Sequence, residues 1–254
     1  MPHILVSNDD GVGAAGLTSL VRILRNFSRV TVVVPDADKS AASSAITLRR
    51  DLAVKIKEKD FYTVDGTPAD CTHLAFTGLM DTKPDLLISG INAGKNLGED
   101  VIYSGTVGAA REGPLFGVSA IAVSLIAGGR GHFDVAAKVT EILAKELLKK
   151  KPKNPLFLNV NVPDLPIDEI RGVRVTQLGL RAPALPATLK SEEGGVLYYR
   201  FGNQGLPAFA GDGTDFDAIE RGYVSLTPLK IDGIDSDWNL DCESFLEKLR
   251  NPHG

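Results

Sequence analysis

The chain has 254 residues, 43% of them hydrophobic and 24% charged, the composition of a globular protein long enough to bury a substantial core. Its formal net charge of −4 excludes a broad nucleic-acid or anionic-membrane surface, so an anionic substrate needs a local device such as a metal ion or a helix N-terminus. Two cysteines, Cys71 and Cys242, are too few for a disulfide scaffold or a zinc cluster. The first residues meet acids by position 9, unlike a signal peptide, and the longest apolar run, 118–127, is too short to span a bilayer. These features predict a cytoplasmic enzyme or binding domain with neither DNA nor membrane as partner.

In chain order, residues 3–7, 29–34, 85–89, 120–124 and 156–162 are almost continuously apolar, as strands covered on both faces must be. Helical patterns fall between them at about 16–27, 68–80, 104–117 and 132–150. The last has Val135, Val139, Leu143 and Leu147 on one stripe and lysines at its end, where they oppose the helix dipole. This alternation predicts an α/β fold with a doubly wound, mainly parallel sheet. Beyond residue 180 the pattern shifts to proline, glycine and alternating apolar residues, which predicts a C-terminal β-hairpin arm over about 181–221. A further strand at 222–231 and a helix at 240–250 follow. The expected organisation is one domain over 1–254, its core at about 1–180 and 222–254.

In such a sheet, ligands bind beyond the carboxyl ends of the strands. The first strand is followed by "NDDGVGAAG", whose Gly11, Gly13 and Gly16 spell G-x-G-x-x-G, with Asp36 20 residues after the last of them. That pattern admits a nucleotide-binding regulatory protein or an NAD-dependent redox protein. Against it, Asp9 and Asp10 occupy the strand exit, where two carboxylates repel a pyrophosphate. Paired carboxylates suit a hard divalent cation instead. Further oxygen ligands are available from Ser40 or Ser43 in the second loop and Asn92 in the third. In "YSGTVGAAREG", Ser104 suits a helix N-cap, and Gly105 and Thr106 leave amides open to an anion. The histidines, His3, His73, His132 and His253, lie outside these loops, and no P-loop sequence occurs.

With the segments "ILVSNDDG", "VVVPDADKSAASSAITL", "VDGTPADC", "PDLLISGINAGKNLGEDVIYSGTVGAAREG" and "GTDFDAIERGYVSLTPL" in place, the chain resembles the SurE family of nucleotidases from residue 4 to about 229. The resemblance implies a Rossmann-like core and a divalent-metal-dependent phosphatase acting on nucleoside 5'- and 3'-monophosphates, with short polyphosphate a further substrate of some members. It implies one Mg²⁺ or Mn²⁺ per subunit on Asp9, Asp10, Ser40 and Asn92, with Asp9 and Asp10 catalytic and Asn96, Ser104, Gly105 and Thr106 at the phosphate. It also implies dimers or tetramers formed partly through exchanged C-terminal segments. The chain departs from the family pattern where "KSAAS" replaces an Arg-Ser-Gly-x-Ser run and where Gly13 replaces a histidine. Neither departure removes a ligand.

Overall fold

The computed structural model describes residues 1–126 and 131–231. From the N-terminus, β1 (His3–Ser7), α1 (Ala15–Leu24) and β2 (Arg29–Pro35) form the first β–α–β unit. A hairpin of β3 (Val54–Glu58) and β4 (Phe61–Val64) follows, then α2 (Pro68–Leu74), which runs into a π-helical turn at Ala75–Leu79. Next come β5 (Leu86–Ala93), α3 (Asp100–Tyr103), α4 (Gly105–Leu115), β6 (Ala120–Ile126), α5 (Phe133–Lys150) and β7 (Phe157–Pro163). The remainder comprises a 3₁₀ turn (Ile167–Glu169), β8 (Val173–Val175), β9 (Leu180–Arg181), β10 (Thr188–Glu193), β11 (Val196–Arg200), β12 (Pro207–Phe209), α6 (Asp215–Glu220) and β13 (Val224–Pro228).

The main sheet has nine strands in the order β3-β4-β2-β1-β5-β6-β7-β13-β8. From β4 to β7 every pairing is parallel; β3 closes one edge and β13 joins β7 antiparallel at the other. Alternation along β1 divides the core. Ile4 and Val6 point into the layer under α1 and α5, whereas Leu5 points into the layer that also holds Cys71 of α2 and Val107 of α4. All five β1 residues are buried, which the sequence announced by having no polar residue between Ile4 and Val6. The chain leaves β1 for β2 on one side and returns to β5 on the other. The β1/β5 boundary is therefore the switch point where the strand order reverses, and the loops after β1, β2 and β5 meet there.

Local sequence explains the boundaries. Thr67 caps α2 by accepting the Asp70 N–H at 3.0 Å, Asp70 accepts the Thr67 N–H at 2.9 Å, and Pro68 occupies the first turn, where no amide is missed. The helix expected over 68–80 changes to π geometry after Leu74. The β3–β4 hairpin escaped the sequence reading because β3, "VKIKE", alternates lysines with apolar residues and is exposed along most of its length; such lysines protect a sheet edge. The arm is the antiparallel β10–β11 hairpin, and β12 pairs with β9 at its base. The helix expected at 240–250 lies outside the described residues.

Candidate active site

At the end of β1, the Asn8 amide donates to the Gly11 carbonyl at 2.9 Å, and Gly11 takes φ +84°, a region glycine enters without strain. This turn presents Asp9, only 4% exposed, and the half-buried Asp10. The other two glycines differ in role. A Cβ on Gly16 would lie 2.0 Å from the Ile91 carbonyl oxygen, so glycine lets α1 press onto β5, while a Cβ on Gly13 would meet open space. The G-x-G-x-x-G pattern is thus accounted for by a turn and a helix–strand contact.

Three segments converge on the carboxylates. Behind them, Thr106 in the first turn of α4 donates its hydroxyl to Asp9 Oδ1. Gly105 makes that approach possible: a Cβ there would stand 2.9 Å from the Asp9 Cβ and 3.0 Å from the Pro68 Cγ. Ser104 caps α4 by accepting the Val107 N–H at 3.1 Å. From β5, the Ala93 N–H donates to Asp10 Oδ2 at 3.0 Å. An irregularity between Ser89 and Asn92, where β5 advances three residues against two on β6, turns Asn92 toward the site. From the second loop, the Lys39 N–H donates to the Asp9 carbonyl at 2.9 Å. Ser40 Oγ donates to Asp38 at 2.7 Å, and Ala41 takes φ +60° at the position where the resemblance implied glycine. Ser43 is occupied structurally, its hydroxyl donating to the Ile102 carbonyl at 2.6 Å.

Together these form an open cleft of about 300 Å³ whose lining includes Asp9, Asp10, Ser40, Asn92, Asn96 and Ser104. Gly105 and Thr106 stand behind it instead. Thr106 is fully buried with its hydroxyl on Asp9. Burial pushes the Asp9 carboxyl up to about 6; Thr106 pulls it back down and neighbouring Asp10 raises it further. Asp10 is also raised by burial, against the opposing Ala93 N–H. Among the described residues no group of three or more His, Cys, Asp or Glu is placed to hold a metal. The oxygen donors here are two carboxylates, an amide and a hydroxyl.

The loop after β5 is fixed by a buried amide network that sequence reading did not assign. Asn96 donates through Nδ2 to Ser124 Oγ at 2.7 Å, and its carbonyl accepts from Asn159 and Asn161 of β7 at 2.8 and 3.0 Å. Asp215 accepts the Gly98 N–H at 2.7 Å and the Gly179 N–H at 2.9 Å. Arg181 grips Asp100 with two bonds, of 3.0 and 2.7 Å. The available signal was "LFLNVNV", two asparagines alternating within a buried strand. His3, His73 and His132 bond Thr31, Glu112 and Asp164, away from the cleft.

Comparison with known proteins decides the relationship. The family described as "Survival protein SurE" matches residues 4–184. The chain belongs to the SurE family. A SurE described as a 5'-nucleotidase from Methylococcus capsulatus is 50% identical over 234 residues, covering 91% of this chain and 92% of that protein. One of the same description from Nitrosomonas eutropha is 48% identical over 230 residues, covering 91% and 93%. The crystal structure of the SurE protein from Aquifex aeolicus superposes with a TM-score of 0.84 at 39% identity, covering 97% of this chain and all of that one. The SurE match takes in the three loops of the cleft and, among the residues that anchor them, Asp100, Ser124, Asn159, Asn161 and Arg181.

Proposed function

We propose that the chain is a divalent-metal-dependent nucleotidase, which releases inorganic phosphate from nucleoside 5'- and 3'-monophosphates and also accepts short polyphosphate. The observation that carries this reading is the convergence of Asp9 and Asp10 with Asn92, Ser40 and the start of α4 at the sheet's switch point. The 5'-nucleotidase description of the relatives supports it.

The donor set fits a hard cation: Asp9, Asp10, Ser40 and Asn92 offer only oxygen ligands, which suits Mg²⁺ or Mn²⁺, one per subunit. When bound, such an ion polarises the phosphoryl group and lowers the pKa of coordinated water. Asp9 and Asp10 contribute the negative charge that selects a cation over an unaccompanied phosphate. Asn96, Ser104 and the first turn of α4 orient the phosphoryl oxygens, aided by the positive end of the helix. Thr106 sets the position and protonation of Asp9. Phosphate release from a nucleotide panel with Mg²⁺, with Mn²⁺ and with chelator tests the reading. Release that requires the metal is expected; metal-independent release, or tight NAD binding in chelator without any release, would overturn it.

The proposed enzyme works in the cytoplasm as a dimer or tetramer. Support for assembly comes from the arm, where Leu189, Val196, Leu197, Tyr198, Tyr199 and Phe201 are exposed apolar side chains on one hairpin. Removing residues 188–200 and joining 187 to 201 is expected to lower the mass seen by light scattering. An unchanged mass would place the interface elsewhere.

A further inference from the structure

The edge of the sheet opposite the cleft carries a second arrangement of charge. Strands β5, β6 and β7 begin there, a strand's length of roughly 20 Å from the carboxylates. Between their approaches and the end of α5 lies a pocket of about 200 Å³, whose polar lining comes from Lys83, Lys151, Lys153, Asp85 and Ser119. A second depression of about 480 Å³ adjoins it through Asp85, Leu148 and Lys151 and adds Lys149. The lysines of α5 that pair with carboxylates are Lys138, Lys145 and Lys150. Among the described residues, Lys83, Lys149, Lys151 and Lys153 have no such partner. The Lys83 ammonium is folded over the pocket, 3.0 Å from where a Cβ on Gly117 would stand. Ser119 Oγ accepts the Leu156 N–H at 3.0 Å, which leaves its own hydrogen to donate.

Compensation of helix dipoles does not account for these lysines. Helices α4 and α5 end here with about half a negative charge each, and Asp85, whose carboxylate accepts the His3 N–H at 2.9 Å, adds one. Four lysines exceed that by about two charges, on a chain whose net charge is −4. Lys83 and Lys153 belong to neither helix. Lys151 takes φ +42° just past α5, where glycine would end the helix without strain. The chain keeps a lysine there at a conformational cost. Pro84, Pro152 and Pro155 stiffen the segments that bear these side chains, so little backbone freedom is lost when a ligand binds. We propose that this edge binds a short run of phosphoryl groups, either a free oligophosphate or the tail of a nucleoside triphosphate, at a site separate from the catalytic cleft. Two adjoining depressions suit an elongated anion: Lys83 and Lys153 line the first, Lys149 the second, and Lys151 both. Binding here does not depend on the nucleotidase reading of the cleft.

Calorimetric titration of the full chain with tripolyphosphate, in chelator at low salt, tests the site, because without a metal the carboxylates of the cleft repel the anion. One anion per chain is expected. In the double variant Lys83→Ala/Lys151→Gly the Kd is expected to rise roughly tenfold. That variant should melt no lower than the parent, since glycine takes the positive φ of residue 151 without strain, and weaker binding then cannot come from a damaged fold. Lys95→Ala, which removes a lysine lining the cleft instead, should leave the Kd within about twofold. A parallel titration with a nucleoside triphosphate separates the two sources. A Kd about tenfold tighter than that of tripolyphosphate assigns the site to nucleoside triphosphates, and an equal or weaker one to the phosphoryl run itself. A Kd above about 1 mM for both anions, an unchanged Kd in the double variant, or equal weakening by Lys95→Ala would overturn the site.

Discussion

Asp9→Asn is expected to lower turnover of a nucleoside monophosphate on the order of 10³-fold and, in the same protein, to raise the stability of the metal-free chain at pH 7. On the proposed reading, the loss follows from removing one of two charges that would hold the cation against the phosphoryl group. The gain follows from burial. Asp9 is 4% exposed, and its carboxyl is pushed up to about 6 from an ordinary value of 3.8. Between those values the native chain binds a proton that the unfolded chain has released, so stability falls as pH rises through this window. The shift corresponds to about 2–3 kcal/mol at pH 7, and the same-sign shift of Asp10 adds to it. Asparagine has nearly the same shape, carries no charge and can still accept the Thr106 hydroxyl. In chelator at pH 7 the variant should melt roughly 5–10 °C higher than the parent, and the difference should close toward about pH 4. Saturating Mn²⁺ should reverse the order, because only the parent gains mass-action stabilisation from a tightly held ion. Near-normal turnover, or a variant less stable than the parent in chelator at pH 7, would refute the assignment.

Much of this was legible in the sequence because the physics concerned is local. Strands buried on both faces are almost continuously apolar, and residues 3–7, 29–34 and 156–162 show that pattern even with Asn159 and Asn161 in the last of them. Strand-end carboxylates and the Ser104 cap are likewise short-range features, and the structure brings Asp9, Asp10, Ser40, Asn92, Asn96 and Ser104 to one cleft. What escaped was long-range. Nothing near residue 215 indicates that its carboxylate will receive the amide of Gly98, more than a hundred residues earlier. The role of Gly105 depends on Asp9 lying 2.9 Å from an atom glycine lacks, a fact of tertiary packing. The bond from Thr106 to Asp9 was hidden for the same reason. A threonine at a helix start is ambiguous until its neighbour across the sheet is known. The β3–β4 hairpin escaped because an exposed edge strand needs little apolar surface to be a strand.

That buried hydroxyl carries the second large effect. Thr106→Val keeps the volume and removes the donor to Asp9 Oδ1, leaving that buried carboxylate oxygen without its hydroxyl partner. Because the Thr106 bond lowers the Asp9 pKa, its loss raises that pKa further above about 6. A proton then competes with the cation up to a higher pH. At subsaturating Mn²⁺ the acid limb of activity should move to higher pH, and kcat/KM at pH 7 should fall roughly 10- to 100-fold. Thr106→Ser, which restores the donor, should return the limb most of the way. Ser104→Ala provides the contrast, since its hydroxyl oxygen accepts the Val107 N–H, a backbone group that does not titrate. It should cost about 1 kcal/mol of stability from the lost cap and leave the acid limb where it was. A merely structural Thr106 would instead lower stability without moving the pH profile, and serine would then offer no rescue of the limb. An unmoved acid limb in Thr106→Val would show that Asp9 does not depend on this bond for its ionisation, and that α4 serves the site only through its backbone.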